Sequence, residues 1–179
     1  MRSWLFILGL VAAVPTWAQH HPEQDAPAHA QPAKSGYAGM QNRAIKALSE
    51  LQVADLRAGK GLSLALPAEL NGYPGPSHTL EFSGPLGLSR EQQQKTEELF
   101  AQMQAEAQRL GEQVIASEYA LDRLFTERKA SAASVQEATA KAAGAHGELR
   151  AAHLRYHLSM LDVLTSKQVA KYNELRGYH

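Results

Sequence analysis

Residues 90–128 read REQQQKTEELFAQMQAEAQRLGEQVIASEYALDRLFTER, and the spacing of apolar side chains in this stretch decides the fold. Leu99, Met103, Ala107, Leu110, Val114, Leu121 and Phe125 recur mostly three or four residues apart, and Phe100, Ile115 and Leu124 widen the stripe. Glu, Gln and Lys, all good helix formers, fill the opposite face, so the pattern predicts one long helix. The segment Ser131 to Ser134 reads as a turn with a helix-start residue. A second helical stripe follows over 135–164, formed by Val135, Ala138, Ala142, Ala145, Leu149, Ala152, Tyr156 and Val163. Its alanine-rich half lets a neighbouring helix approach closely. Two such helices joined by a short turn make an antiparallel hairpin. No stretch alternates as a strand would. The expected fold is all-α: a long antiparallel helical hairpin with additional short helices.

Upstream of the hairpin the helical signals are shorter. Met40, Ala44, Ile45, Ala47 and Leu48 give residues 37–48 an amphipathic helical pattern, and a second short helix is expected over 51–58, stopped by Gly59. Leu62 to Leu66 is an apolar segment running into Pro67-Ala68-Glu69-Leu70. Asn71-Gly72-Tyr73-Pro74-Gly75-Pro76 reads as a turn or loop. A brief helical piece around 78–82 ends at Ser83-Gly84-Pro85.

The N-terminus reads as an address. Met1-Arg2 is followed by an apolar run from Leu5 to Val14, too short to cross a hydrocarbon core, then Pro15 and the small residue Ala18. Residues 1–18 are therefore expected to be a secretory signal peptide cleaved near Ala18, and residues 19–36 a flexible tail containing His and Pro. Residues 37–179 are the helical domain. About 160 residues remain after processing, the length of one domain. The whole chain holds 18 basic and 18 acidic residues and no cysteine. This balance points away from nucleic acid as a partner, and the lack of cysteine excludes disulfides and thiolate chemistry.

A short pattern occurs three times, as Leu48-Ser49-Glu50-Leu51-Gln52, Leu88-Ser89-Arg90-Glu91-Gln92 and Leu164-Thr165-Ser166-Lys167-Gln168. Each is Leu-[Ser/Thr]-x-x-Gln. The hydroxyl of Ser49, Ser89 or Thr165 would cap a helix by accepting a backbone N–H. The Gln (Gln52, Gln92, Gln168) would reach back to the cap residue's own N–H, completing a capping box. The leading Leu48 and Leu164 would pack on Val53 and Val169, whereas Gln93 gives Leu88 no such neighbour.

In a chain expected to be exported, helical and free of cysteine, three copies resemble the LTxxQ motif of the Spy/CpxP family of periplasmic proteins. Leu164-Thr165-Ser166-Lys167-Gln168 matches fully, and the other two copies carry Ser in place of Thr. The resemblance spans about residues 37–178. It implies a periplasmic, curved helical protein, often a homodimer, acting without ATP. Family members bind unfolded or misfolded envelope proteins or act on a membrane-bound stress sensor. Others, ZraP and the CnrX-like heavy-metal sensors, are metal-linked. The segment 59–85 is longer than the family's chaperones lead one to expect between motif copies, which weakens direct transfer of their client surface.

On the chaperone reading no cofactor is required. Leu99, Phe100, Met103, Leu110, Ile115, Leu124 and Phe125 would then supply apolar client contacts, with Met103 adaptable enough for promiscuous binding. The metal-sensor reading rests on the second long helix. At about 100° per residue, His146, His153, His157 and Met160 fall within about 60° of one another on one face. His153 and His157, four apart, can reach one ion such as Zn or Ni, and the Met160 thioether would suit Cu(I). Further ligands would come from His78, Glu69, Glu118, the His20/His21 tail or a partner chain. Arg150 and Arg155 flank the pair and oppose a cation. Convergence of His78, His153 and His157 separates the two readings, because a chaperone has no need of it. An enzyme is not expected, since no Ser sits in a G-x-S-x-G context and no HExxH or phosphate loop occurs.

Overall fold

A computed structural model describes residues 35–178. The signal-peptide expectation, nearly all of the tail and His20/His21 lie outside the described residues. Contacts divide the chain into Met1–Gly36 and Tyr37–His179, and everything below concerns the second unit.

Among the described residues the regular structure is helical: α1 (Glu50–Arg57), α2 (Leu66–Glu69), α3 (Pro76–Glu81), α4 (Ser83–Leu86), α5 (Arg90–Thr126), α6 (Ala132–Met160) and α7 (Ser166–Arg176). At 1.5 Å per residue α5 is roughly 55 Å long. Its pairing with α6 is antiparallel, because Glu118 meets His146 while the earlier Glu106 meets the later Arg155 and Tyr156. The turn between them starts at Arg128, whose φ of 54° is left-handed. It ends at Ser131, which caps α6 in a box with Ser134.

Two apolar cores hold the hairpin. In the larger, Ala107, Leu110, Val114 and Ile115 of α5 meet Leu149 and Ala152 of α6, and Leu56 of α1 closes over them with Ile45 and Leu48. Each fully buried aliphatic side chain of this kind stabilises the fold by about 1.5–3 kcal/mol. The close crossing of α1 over α5 requires Gly111, since a Cβ there would lie 2.4 Å from the Leu56 carbonyl oxygen. The smaller core joins Leu99, Met160 and Leu164, with Leu88, Tyr156, Val163 and Val169 packed against it.

The helix expected over 37–48 does not form. Only a 3₁₀ turn, Met40–Asn42, is present, and its N-cap Gly39 is left-handed at φ 96°. Glycine at positions 36 and 39 weakens helix nucleation. Burial of Ile45 and Leu48 in the larger core then holds the remainder as a turn that sends both side chains inward. The long helices also end earlier than the apolar pattern predicts. α6 stops at Met160, and a turn through Leu161–Val163 leads to the third motif.

Candidate functional site

All three Leu-[Ser/Thr]-x-x-Gln segments form complete capping boxes, at Ser49, Ser89 and Thr165. The second and third copies also hold each other. Gln92 Nε2 donates to Gln168 Oε1 at 2.9 Å, and Gln168 Nε2 donates to Gln92 Oε1 at 3.0 Å. Gln92 Nε2 also donates to the Val163 carbonyl at 2.8 Å. The paired amides lock the start of α5 to the start of α7.

That lock sets α7 beside the segment before α5, and a cleft of about 450 Å³ opens between α2, α3, α5, α6 and the chain end. Each wall has a local cause. Gly59 turns the chain out of α1 at φ 68°, and Leu62 and Ser63 continue in left-handed conformations. Pro67 near the start of α2 and Pro76 at the start of α3 pre-set helical φ where a missing N–H costs nothing. α2 then supplies Glu69, α3 supplies His78, and one face of α6 supplies His153 and His157. Phe100 and Met103 of α5 form the apolar wall, and Arg176 and Tyr178 close the end. Gly75 lets the loop lie against His157, because a Cβ there would meet the ring Cε1 at 2.8 Å.

Glu69 is buried, at 5% exposure, and its two oxygens differ sharply. Oε1 accepts from the Tyr172 hydroxyl at 2.6 Å, Arg176 Nε at 3.1 Å and the Tyr178 hydroxyl at 3.1 Å, and His78 Nδ1 lies 3.3 Å away. Oε2 has no hydrogen-bond partner among the described residues; His157 Nδ1 is 3.8 Å away. Burial, then the bond to Glu69, pushes the Tyr172 hydroxyl far above its ordinary pKa, which keeps it a donor. His157 Nδ1 donates to the Tyr73 carbonyl at 2.7 Å, since a carbonyl can only accept. His153 is 2% exposed, and its Nε2 has no partner among the described residues. Burial, then the neighbouring His157, holds its pKa below the ordinary value, and Glu106 opposes this. The two lowering effects favour the uncharged ring.

Of the sequence-predicted metal residues, His78, His153 and His157 line one cleft together with Glu69. His146 and Met160 do not join them. His146 pairs with Glu118 at 3.0 Å further along the hairpin, and Met160 is fully buried in the smaller core against Leu99. One helical face spreads over the length of α6, so side chains sharing it need not share a site. The thioether in the cleft belongs to Met103, which the sequence pattern assigned to client contacts. Among the described residues no three His, Asp or Glu side chains already stand in metal-holding geometry.

The predicted client surface is largely internal. Leu99, Leu110 and Ile115 are buried in the two cores, Phe100 and Met103 line the cleft, and Leu124 is half-buried. Phe125 alone of the seven is broadly exposed. Three of the seven close the hairpin, and the rest are divided between the cleft, a half-buried position and the surface.

Arg176, Tyr172 and Tyr178, which surround Glu69, were not picked out by sequence reasoning. Their only signal is the i, i+4 spacing of Tyr172 and Arg176 on the helix after the third motif, which an amphipathic surface helix shares. Set against family models, curated proteins and solved structures, the chain has no significant match in any of the three.

Proposed function

We propose that this chain is a periplasmic metal-responsive protein of Spy/CpxP-like build, and that the cleft around Glu69 takes a divalent transition-metal ion. The observation that carries the reading is the meeting of His78, His153, His157 and Glu69 in one cleft, where Glu69 Oε2 and His153 Nε2 are buried with no partner among the described residues. An orphaned buried polar atom costs about 1–3 kcal/mol, and a ligand that satisfies it removes that cost. The donor set fits. Imidazoles and a carboxylate suit Zn, Ni or Cu, and the bond from His157 Nδ1 to the Tyr73 carbonyl is the kind of outer contact that orients a ligating ring. His153 and His157 would hold the ion with Glu69, and His78 on the short α3 would complete the set. A bound metal would supply Lewis-acid charge at the junction of α2, α6 and α7. Calorimetric titration of the purified chain with zinc, nickel and copper, beside a His153→Ala/His157→Ala variant, tests this. Stoichiometric binding that disappears in the variant is expected. Binding that survives the substitution would belong elsewhere in the chain and would sink the reading.

The ATP-independent chaperone reading keeps one specific support. A second, apolar groove of about 850 Å³ is lined by Ile45, Leu48, Val53, Ile115 and Tyr119, and Tyr119 and Phe125 are exposed on the same helix. Such a surface can hold an extended apolar segment of an unfolded envelope protein. If it does, Tyr119→Ser with Phe125→Ser lowers suppression of a model client's aggregation several-fold while leaving metal binding intact. Unchanged suppression would remove this groove from the function.

A further inference from the structure

The cleft already holds a positive charge on the carboxylate that a metal ion would use. Arg176 Nε lies 3.1 Å from Glu69 Oε1, and its guanidinium is the cation nearest this buried carboxylate. Three donors crowd onto Oε1, with His78 Nδ1 3.3 Å away, while Oε2 has no hydrogen-bond partner among the described residues, so the carboxylate is satisfied from one side only. Two of the three donors, Arg176 and Tyr178, come from the last three described residues. They are tied to each other as well: Arg176 Nε donates to the Tyr178 hydroxyl at 3.2 Å, and the guanidinium stacks 5.6 Å over the Tyr178 ring. Gly177, left-handed at φ 73°, folds Tyr178 back to make these contacts. Arg176 is the final residue of α7, whereas Tyr172, one turn earlier, is fully buried and braced edge-on by Phe82. The arm Arg176–Tyr178 can therefore leave without unfolding α7.

We infer that Arg176 is an intramolecular placeholder for the metal, and that metal entry at Glu69 Oε2 expels the Arg176–Tyr178 arm. This rests on the metal reading of the cleft. An ion bound at Oε2 would share the Glu69 carboxylate with the guanidinium, in surroundings that screen charge less than water does, so the two cations would compete for it. The His157–Tyr73 bond, the Gly75 contact and Tyr172 stay in place. The arm is the element that moves, and metal occupancy is thereby converted into release of the chain end.

The test uses the full chain, with zinc affinity read by competition against a chromophoric chelator. Arg176→Gln removes the charge and keeps a donor, and roughly tenfold tighter zinc binding is expected. Tyr178→Phe removes the hydroxyl that braces both Arg176 and Glu69, and should tighten binding by less. The second readout is native-state trypsin cleavage after Arg176, followed by mass spectrometry. Zinc is expected to speed release of the last three residues several-fold in the unaltered chain and to have no effect in His153→Ala/His157→Ala. Equal zinc affinity in the unaltered chain, Arg176→Gln and Tyr178→Phe, with cleavage indifferent to zinc, overturns the placeholder role and leaves the zinc site standing. Absence of zinc binding in every chain removes the underlying reading as well.

Discussion

Single residues set the chemistry of the cleft, and His153 shows how. Its ring is buried on α6 with His157 one turn further on, and Glu106 of α5 acts on it in the opposite sense. Glu69, His78, Lys60 and Arg176 line the same cleft. Because the folded-state pKa lies below the ordinary value near 6.5, the unfolded chain takes up a proton at His153 before the folded chain does. Stability therefore rises with pH through this window and is lost as pH falls below about 6.5. In the presence of chelator, the melting temperature should fall between pH 7.5 and 5.5, and more gently in His153→Gln. Parallel slopes for the two proteins would show that this ring does not set the dependence. The pairing of His153 with His157 was legible from their i, i+4 spacing. Their meeting with Glu69 was visible only as one option among several, because 83 and 87 intervening positions separate them in a chain whose path between is irregular.

Elements were read more surely than sites. Apolar periodicity located α5 and α6, and the repeated motif marked the starts of α1, α5 and α7, because both signals act over three or four residues and are complete within the local sequence. The same periodicity misread residues 37–48, where Ile45 and Leu48 gain more from the groove between α1 and α5 than a glycine-punctuated helix could return. It also could not show that two capping boxes interlock. The amides of Gln92 and Gln168 exchange hydrogen bonds across 76 residues, whereas among the described residues Gln52 bonds only within its own box. Gln92→Ala and Gln168→Ala should each destabilise the fold more than Gln52→Ala. In a double-mutant cycle by chemical denaturation the first two should couple by about 1 kcal/mol. Additive effects would mean that the paired amides contribute no more than solvent-exposed caps.

At the scale of the whole molecule, a hairpin stiffened by two cores presents a cleft on the flank covered by α2, α3 and α7. Among the described residues no helix is long and apolar enough to cross a membrane. The amino-acid sequence by itself determined that the chain is helical, where its long helices run and how they are capped, since these follow from short-range spacing and backbone hydrogen bonding. Only the tertiary structure decided which part of the α5 stripe is spent on the interior, that His146 and Met160 stand apart from His153 and His157, and that Arg176 and Tyr178 fold back onto Glu69. Those outcomes depend on where the irregular segment 59–89 lays its short helices against the hairpin. That path is set by glycine and proline turns and by the fit of buried side chains, which no helical period encodes.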